Sequence, residues 1–257
     1  MKNLIIGSGV VGLATGIWLE ANGEDVIYYD INHERVMELV EKGYNATEVE
    51  QSDWDIAWIC THEDHAFRAM PTWTKEDSVI VIRSTVTPDF FSLFNKYELE
   101  KIVHMPEFLT EAEPLEGTFF PDRIVIGAPL DSVVCDGFED FIASLHPTKN
   151  VVVVPLEISS YIKIIANAWL STQISFWNEV YRLLDKTPEY RQIIADVITT
   201  DKRISNYGSK MIGKSFGGKC LPKDLDHIIQ MCNRERLFSA VKSVNEEMVK
   251  HDNKKKI

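Results

Sequence analysis

The residues with the clearest chemical potential lie near the end of the chain, in the run FGGKCLPKD at 216–224. Two adjacent glycines, Gly217 and Gly218, allow the backbone a positive φ angle or a close approach to a ligand. Cys220 follows them between two lysines, and neighbouring cations favour the thiolate, the nucleophilic form of cysteine. A buried structural cysteine before a helix is the alternative. The neighbouring residues favour the reactive thiol.

A second pair of polar residues interrupts an apolar helix predicted over 158–184. Lys163 and Asn167 are four residues apart and therefore share one face of that helix. A buried lysine is costly without a partner, so Lys163 is a candidate site residue. A lysine whose ammonium group reaches the surface is the alternative. Because the helix is apolar on nearly every side, we expect it to form the spine of a second domain or a homodimer interface.

The N-terminal segment has the pattern of a dinucleotide-binding unit. An apolar strand at 3–6 leads into GSGVVG at 7–12, a helix to about Asn22 and a second strand that ends at Asp30. In a dinucleotide-binding unit, these glycines let a pyrophosphate reach the backbone N–H groups at the helix N-terminus. A glycine-rich turn without a ligand is the alternative, and the strand, helix and acid around the glycines favour the dinucleotide site. Asp30 favours NAD over NADP, because a carboxylate repels a 2′-phosphate. The residues predicted to bind NAD are Gly7, Gly9, Val10, Val11, Gly12, Asp30, Thr61 and Thr85.

Apolar strands and connecting segments continue to alternate up to residue 154. The further predicted strands are 55–60, 79–82, 102–103, 124–127 and 151–154. This order predicts an α/β fold, a Rossmann-like doubly wound parallel sheet followed by a smaller all-helical domain. We place an NAD-binding domain at 1–155 and a helical domain at 156–257, with further helices over about 188–200 and 223–250.

Composition narrows the classes of function. The 257 residues are 45% apolar and 26% charged, with a net charge of −12, which disfavours a nucleic-acid partner. No apolar run reaches the roughly 20 residues that a membrane span requires. The four cysteines show no CxxC spacing, so a reducing cytoplasm is the expected location. The cluster at 62–65 has poor spacing for a metal, and we predict none.

The motifs described above resemble those of the UDP-glucose/GDP-mannose dehydrogenase family. The matching motifs, in chain order, are IIGSGVVG at 5–12, RSTV at 83–86, PEFLTE at 106–111, PDRIVIG at 121–127, KIIANAWLSTQISFWNE at 163–179 and FGGKCLPKD at 216–224. The resemblance implies a four-electron oxidation of the C6 alcohol of a nucleotide sugar to the uronic acid, with NAD as oxidant, as used in polysaccharide biosynthesis.

The resemblance also implies a role for each matching residue. Cys220 captures the aldehyde intermediate as a thiohemiacetal and later carries a thioester. Lys163 and Asn167 stabilise the oxyanion, while Asp224 assists the first deprotonation. The implied catalytic residues are Cys220, Lys163, Asn167, Asp224, Glu107 and Thr85, the last two holding water. The implied substrate-binding residues are Glu107, Phe108, Leu109, Glu111, Lys163, Asn167, Arg203 and Gly217.

Some features depart from the family pattern. The loop at 61–65 reads THEDH in place of a VPTP-like turn, and the spacing of Arg203 to the cysteine differs by about one residue. Members of the family normally continue into a third domain that binds the nucleotide. The resemblance therefore leads us to expect a shortened form, with a separate polypeptide as a possible source of that domain.

Two alternative functions remain open from the sequence. One is a two-domain NAD-dependent dehydrogenase of a smaller hydroxy substrate, which would not need the thiol of Cys220. The other is a non-catalytic NAD-binding relative, against which the joint presence of all the implied catalytic residues argues.

Overall fold

The computed structural model of the protein describes residues 1–72, 74–75, 77–110, 112–129, 133–146, 150–218 and 220–254, apart from the side chains of 133–136 and 254. The chain forms two compact units, Met1–Lys163 and Ile164–Ile257. The assignment of functional domains to 1–155 and 156–257 stays a prediction.

The first unit contains the sheet and its covering helices. Its strands are β1 (Lys2–Ile6), β2 (Asp25–Tyr29), β3 (Ala46–Thr47), β4 (Ile56–Ile59), β5 (Val79–Ile82), β6 (Ile102–His104), β7 (Ile124–Gly127) and β8 (Val151–Val154). Its helices are α1 (Val10–Ala21), α2 (His33–Glu41), α3 (Glu63–Ala66), α4 (Lys96–Leu99), α5 (Pro114–Phe119) and α6 (Val133–Leu145), with a 3₁₀ turn at Pro88–Leu93. The long helix α7 (Leu156–Leu183) begins in this unit and continues into the second.

The sheet confirms the predicted Rossmann-like fold and differs from it in detail. The strand order is β3-β2-β1-β4-β5-β6-β7-β8, and the pairs from β3 to β6 are parallel. One pair departs from the parallel arrangement, since β6 and β7 are antiparallel and joined at His104 and Gly127. A six-residue helix such as α5 rises only about 9 Å, which is short for a crossover that returns the chain for a parallel strand. Strand β3 was not predicted.

The core lies on both faces of the central strands. Ile56–Ile59 is buried throughout, as expected for a strand covered by helices on both sides. On one face Trp18 of α1 packs edge to face against Trp58 at 6.2 Å between ring centroids. Phe91 belongs to the cluster on the other face. The sheet therefore carries two hydrophobic layers, and its strand ends are left to polar residues.

His104 joins the end of β6 to the first turns of α7. Its Nε2 lies 3.3 Å from the backbone oxygen of Ser84, and its Nδ1 lies 2.6 Å from Oγ of Ser159. Because the carbonyl can only accept, the neutral ring donates from Nε2. The single hydroxyl proton of Ser159 then serves two acceptors at 2.6 Å, Nδ1 of His104 and the backbone oxygen of Leu156. A side chain at Gly127 would collide with Ser159, since its Cβ would lie 2.1 Å from that Oγ. These contacts fix the start of α7 against the sheet.

The burial of His104 predicts an acid-sensitive fold. Burial lowers its pKa from 6.5 to about 3, so below pH 6.5 the unfolded chain binds a proton that the native state does not. The free energy of unfolding should therefore fall by about 1.4 kcal/mol per pH unit from this residue as pH drops from 6.5 towards 3. Urea unfolding at several pH values measures this slope. His104→Gln keeps a hydrogen-bond donor and an acceptor, and it should reduce the pH dependence of the free energy of unfolding by the amount expected for one proton. An unchanged pH dependence contradicts the lowered pKa of His104.

The second unit is helical. Beyond α7 it contains α8 (Arg191–Ile198), α9 (Cys220–Met231) and α10 (Leu237–Lys254), with 3₁₀ turns at Pro188–Tyr190 and Gly208–Met211. The helical segment expected over 223–250 is divided between α9 and α10. The carboxylate of Glu235 accepts a hydrogen bond from the backbone N–H of Ser239 at 2.9 Å and so supports the start of the new helix.

None of the helices in the described part of the chain is both long enough and apolar enough to span a membrane.

Candidate active site

The glycine loop between β1 and α1 adopts the tight turn that the sequence predicts. Gly7 has a φ of +89°, a conformation that favours glycine. A Cβ on Gly12 would lie 2.0 Å from the backbone oxygen of Gly7, so this position cannot carry a side chain without moving the loop. Gly9 faces open space and precedes α1 without a side-chain cap. The loop therefore presents uncapped helix N–H groups of the kind that bind phosphate.

Asp30 lies beside this loop. Its Oδ2 accepts a hydrogen bond from the backbone N–H of Ser8 at 2.8 Å, and its Oδ1 accepts one from Asn32 at 3.0 Å. These bonds hold the carboxylate at the end of β2, where a dinucleotide-binding fold places the acid for the adenosine ribose.

Sequence reasoning missed Arg35, which supports the same loop. Its Nε donates to the backbone oxygen of Ser8 at 2.7 Å, and its Nη1 donates to Glu38 at 2.6 Å. An arginine near this point can accommodate the 2′-phosphate of NADP. Here its Nε and Nη1 already bond the loop and α2, so its presence does not argue against NAD. Its position five residues after Asp30 was the available signal.

Thr61, Ser84 and Thr85 follow the carboxyl ends of two neighbouring strands. Ser84 Oγ donates to the backbone oxygen of Thr61 at 2.6 Å, which ties β5 to β4. A Cβ on Gly7 would lie 2.8 Å from Cγ2 of Thr61, so this threonine packs against the glycine loop. Thr85 is buried. The structure thus brings Thr61 beside the loop predicted to bind NAD.

These residues fit a dinucleotide. Gly7 and Gly12 of the loop are tightly packed, whereas Gly9 faces open space that a pyrophosphate could enter. The carboxylate of Asp30 lies beside the loop. The hydroxyl oxygens of Ser8 and Thr61 are buried without a hydrogen-bond partner among the described residues. Such orphaned hydroxyls are expected beside a ligand or bound water. Val10 is exposed and Val11 is partly buried at the start of α1.

Glu107 and Lys163 form a buried ion pair in the first unit. Lys163 Nζ lies 3.1 Å from both carboxylate oxygens and donates to the backbone oxygen of Glu107 at 2.6 Å. Both side chains are less than 10% exposed. The surface-lysine alternative is therefore wrong for Lys163. A buried ammonium held by one carboxylate is suited to stabilising a developing negative charge.

Phe108 and Leu109 continue the segment after β6. Arg123 lies over the Phe108 ring at 4.1 Å, and Lys163 Nζ is 5.3 Å from the ring centre. Leu109 packs against α5, because a Cβ on Gly117 would lie 2.9 Å from its Cα. Glu111, which the resemblance implies as a substrate ligand, lies outside the described residues.

In the second unit, Cys220 is the first residue of α9 and is exposed. A thiolate at this point is favoured by the positive end of the helix dipole. Gly218 has a φ of +72°, and Gly217 is exposed with open space where a side chain would be. The buried-cysteine alternative is therefore wrong, because the glycine turn leaves the thiol accessible.

Asp224 and Asn167 also come together in this unit. Asp224 is fully buried, and its Oδ2 accepts a hydrogen bond from Asn167 Nδ2 at 2.5 Å. Lys223 Nζ lies 2.9 Å from Oδ1, although this contact lacks the direction of a hydrogen bond, so it is an ion pair by distance only. Cys220 and Asp224 are four residues apart on α9 and share one face of it.

Helix α10 anchors the loop that precedes the cysteine, which sequence reasoning missed. Asn245 accepts from the N–H of Phe216 at 2.8 Å and donates to its carbonyl at 3.0 Å. Asp252 accepts from both the N–H and the hydroxyl of Ser215. Asn245 shares the buried face of α10 with Val241 and Met248, and a polar residue on an apolar face was the available signal.

Arg203 lies in an exposed turn of the second unit. Its guanidinium bonds Asp201 with distances of 2.6 to 3.2 Å, and its side chain is 88% exposed. It is thus engaged by its own neighbour, and its role in substrate binding stays a prediction.

The polar cluster after β4 has a local role. Ligand atoms of His62, Glu63 and Asp64 lie within 4.8 Å of one another. His62 precedes α3, and its Nδ1 accepts from the N–H of Asp64 at 3.5 Å as a weak helix cap. Exposed neighbours of this kind carry no argument for a metal.

Comparison with known proteins places both units in one protein family. The chain matches the UDP-glucose/GDP-mannose dehydrogenase family, central domain, over residues 157–247, and the NAD binding domain of the same family over 53–134. It is 28% identical to a UDP-glucose 6-dehydrogenase of Bacillus subtilis over 95% of this chain and 65% of the relative. A UDP-glucose 6-dehydrogenase of Streptococcus pneumoniae is 26% identical over 87% of this chain and 67% of the relative.

Solved structures agree at the level of the fold. A UDP-glucose dehydrogenase from Pyrobaculum islandicum superposes with a TM-score of 0.84 at 24% identity, covering 96% of this chain and 68% of that structure. A UDP-D-ManNAc dehydrogenase from Pyrococcus horikoshii gives 0.82 at 18% identity, with coverages of 96% and 69%. The chain thus spans about two thirds of the length of these proteins and carries an NAD binding domain. It belongs to the UDP-glucose/GDP-mannose dehydrogenase family.

Proposed function

We propose that this protein oxidises the C6 alcohol of a nucleotide sugar, with UDP-glucose as the first candidate, to the uronic acid through a thioester on Cys220. The observation that carries the proposal is the exposed thiol at the start of α9, on the same helix face as the buried carboxylate of Asp224. A simple alcohol dehydrogenase has no use for a nucleophilic thiol. The relatives named UDP-glucose 6-dehydrogenase support the choice of substrate.

The roles of the residues follow from their chemistry. NAD, when bound at the glycine loop, supplies the acceptor for the hydrides. Asp224, held by Asn167, assists removal of the alcohol proton, and the thiolate of Cys220 then adds to the aldehyde carbon. Lys163 stabilises the oxygen anion of that adduct. After the second oxidation, water positioned by Glu107 and Thr85 cleaves the thioester and releases the acid.

The decisive measurement is NADH formation across a panel of nucleotide sugars, with the product identified by mass spectrometry. The proposal expects two NADH for each sugar and the uronic acid as product. One NADH per substrate, with a smaller alcohol preferred, would indicate a two-electron dehydrogenase. Binding of NAD without turnover of any sugar would indicate a non-catalytic relative.

Asp30 should determine the preference for NAD over NADP. We expect Asp30→Ala to weaken NAD binding roughly tenfold, because a charge-assisted hydrogen bond to the ribose is lost. The difference between the affinities for NAD and NADP should become smaller. Fluorescence titration with both cofactors measures this. Asp25→Ala, at the exposed start of the same strand, is the matched control and should change neither affinity. Equal affinities of the parent protein for the two cofactors contradict the assignment.

We infer that the protein is a homodimer formed through α7. In the second unit Ile165, Trp169, Phe176 and Leu183 are all more than half exposed and lie on one helix face. A continuous apolar stripe of this kind is typical of a partner interface. Light scattering at micromolar concentration should give the mass of two chains, and Trp169→Lys should give one. A fully active monomeric parent protein would contradict the inference.

We also place the protein in the cytoplasm. Cys60 and Cys232 are free thiols, which persist in a reducing compartment. The proposed chemistry needs the thiol of Cys220 in its reduced form. Fractionation of the source cells tests the location, and recovery of the protein from an oxidising compartment would contradict it.

A further inference from the structure

A small cavity lies in the first unit beside the segment that follows β6. Its volume is about 20 Å³, the space of one water molecule or one monatomic ion. Residues from α1, α5 and the ends of β5 and β6 line it. The side chains that matter for its chemistry are those of Trp18, Arg83, Glu107, Arg123 and His146. These side chains therefore combine two guanidinium groups, one carboxylate and two aromatic rings.

Arg83 is the buried charge at this cavity. Its side chain is only 6% exposed, and its Nε has no hydrogen-bond partner among the described residues. Within the same part of the chain no carboxylate forms an ion pair with it. Glu107 lines the cavity too, but both of its oxygens are held by Lys163 at 3.1 Å. The nearby thiol of Cys60 stays neutral, because burial raises its pKa to about 12.

His146 supplies a second unpartnered group. Its ring stacks on Trp18 with centroids 4.3 Å apart, which fixes its orientation. It is 7% exposed, and its Nδ1 has no hydrogen-bond partner among the described residues. Arg123, an exposed side chain that lies over Phe108, adds a second positive charge to the lining. Two polar side chains that are more than nine-tenths buried thus line one cavity, and each has a ring or guanidinium nitrogen without a hydrogen-bond partner among the described residues.

We propose that this cavity is a binding site for a small monovalent anion, of the size of chloride, held by Arg83 and His146. A water molecule would satisfy the hydrogen bonds but would add no negative charge. Glu107 is the carboxylate whose charge acts on the guanidinium among the described residues, and it is already paired with Lys163. One carboxylate therefore faces two buried cations, and buried charges are normally paired. A volume of about 20 Å³ favours a monatomic anion over a larger organic one. Because Pro106, Glu107 and Phe108 form part of the wall, the anion stabilises the segment that carries the proposed catalytic carboxylate.

Crystals of the full chain grown with sodium bromide test the site directly. We expect an anomalous bromide peak within hydrogen-bond distance of the Arg83 guanidinium, at millimolar bromide. A water molecule at this position without anomalous signal overturns the proposal. A bromide peak that appears only at molar concentration overturns it as well.

Thermal unfolding gives an independent test. At constant ionic strength, replacing gluconate, which is too large for the cavity, with chloride should raise Tm by about 3 °C and saturate. Arg83→Met should abolish this rise and be no less stable than the parent in gluconate, since an unpaired buried charge is gone. His146→Phe, which keeps the stacked ring, should reduce the rise. Arg234→Met, at an exposed arginine of the second unit, is the control. An equal rise in the parent and Arg83→Met overturns the proposal.

Discussion

Replacing Cys220 by serine is expected to stop the formation of the acid. A serine alkoxide forms at neutral pH far less readily than a thiolate, and an oxygen ester is a poorer relay than a thioester. The rate of acid formation should fall on the order of 10³-fold or more, as for other nucleophile replacements. In the proposed mechanism the first oxidation does not use the thiol, so the variant should stall after one hydride or accumulate a covalent adduct. NADH stoichiometry in a single turnover and intact-protein mass spectrometry measure both outcomes.

Cys232→Ser is the matched control for this experiment. Cys232, like Cys220, is an exposed cysteine of the second unit, and it lies just after the last residue of α9. Its replacement should leave the rate and the stoichiometry of NADH formation unchanged. If Cys220→Ser makes the acid at the parent rate, the thioester mechanism is wrong. If both variants lose activity equally, the loss reflects a general effect of replacing a cysteine in this part of the protein, and the role of Cys220 is not supported.

Replacing Lys163 by methionine is expected to reduce both stability and turnover. Methionine has a similar length but leaves the carboxylate of Glu107 buried without its cation. Breaking a buried ion pair in this way should lower the free energy of unfolding by about 3–5 kcal/mol. Loss of the ammonium that we propose to stabilise the oxyanion should lower kcat by about 10²- to 10³-fold. Urea unfolding and initial rates, both at pH 7, measure the two effects.

A double variant separates these two effects. Lys163→Met combined with Glu107→Gln removes the unpaired charge, so most of the lost stability should return, while kcat stays low. Lys242→Met is the control for the loss of a lysine from an ion pair, because its pair with Asp226 is exposed and should contribute under about 1 kcal/mol. If Lys163→Met unfolds as readily as the Lys242 variant, the buried pair has no special energetic role.

The sequence identified the positions at which the local backbone or the local chemistry requires a particular type of residue. The glycines at 7–12 and Asp30 were predictable, because a phosphate-binding turn needs glycine at fixed spacings and the acid follows one strand later. The exposed thiol was predictable from the two glycines before it. The lysine within α7 was predictable as a site because burial of a charge needs a reason, although its partner was not. These inferences each depend on a short stretch of chain.

The tertiary structure alone decided which residues hold those positions in place. Arg35 reaches back 27 residues to Ser8, Asn245 reaches 29 residues to Phe216, and His104 reaches 55 residues to Ser159. Hydrogen bonds over such separations leave no periodic pattern in the sequence, since each partner is an ordinary polar residue in its own segment. The antiparallel pairing of β7 likewise follows from the path of the connecting segment. The sequence by itself identified the groups that we propose to do chemistry, and long-range packing decided how each is held.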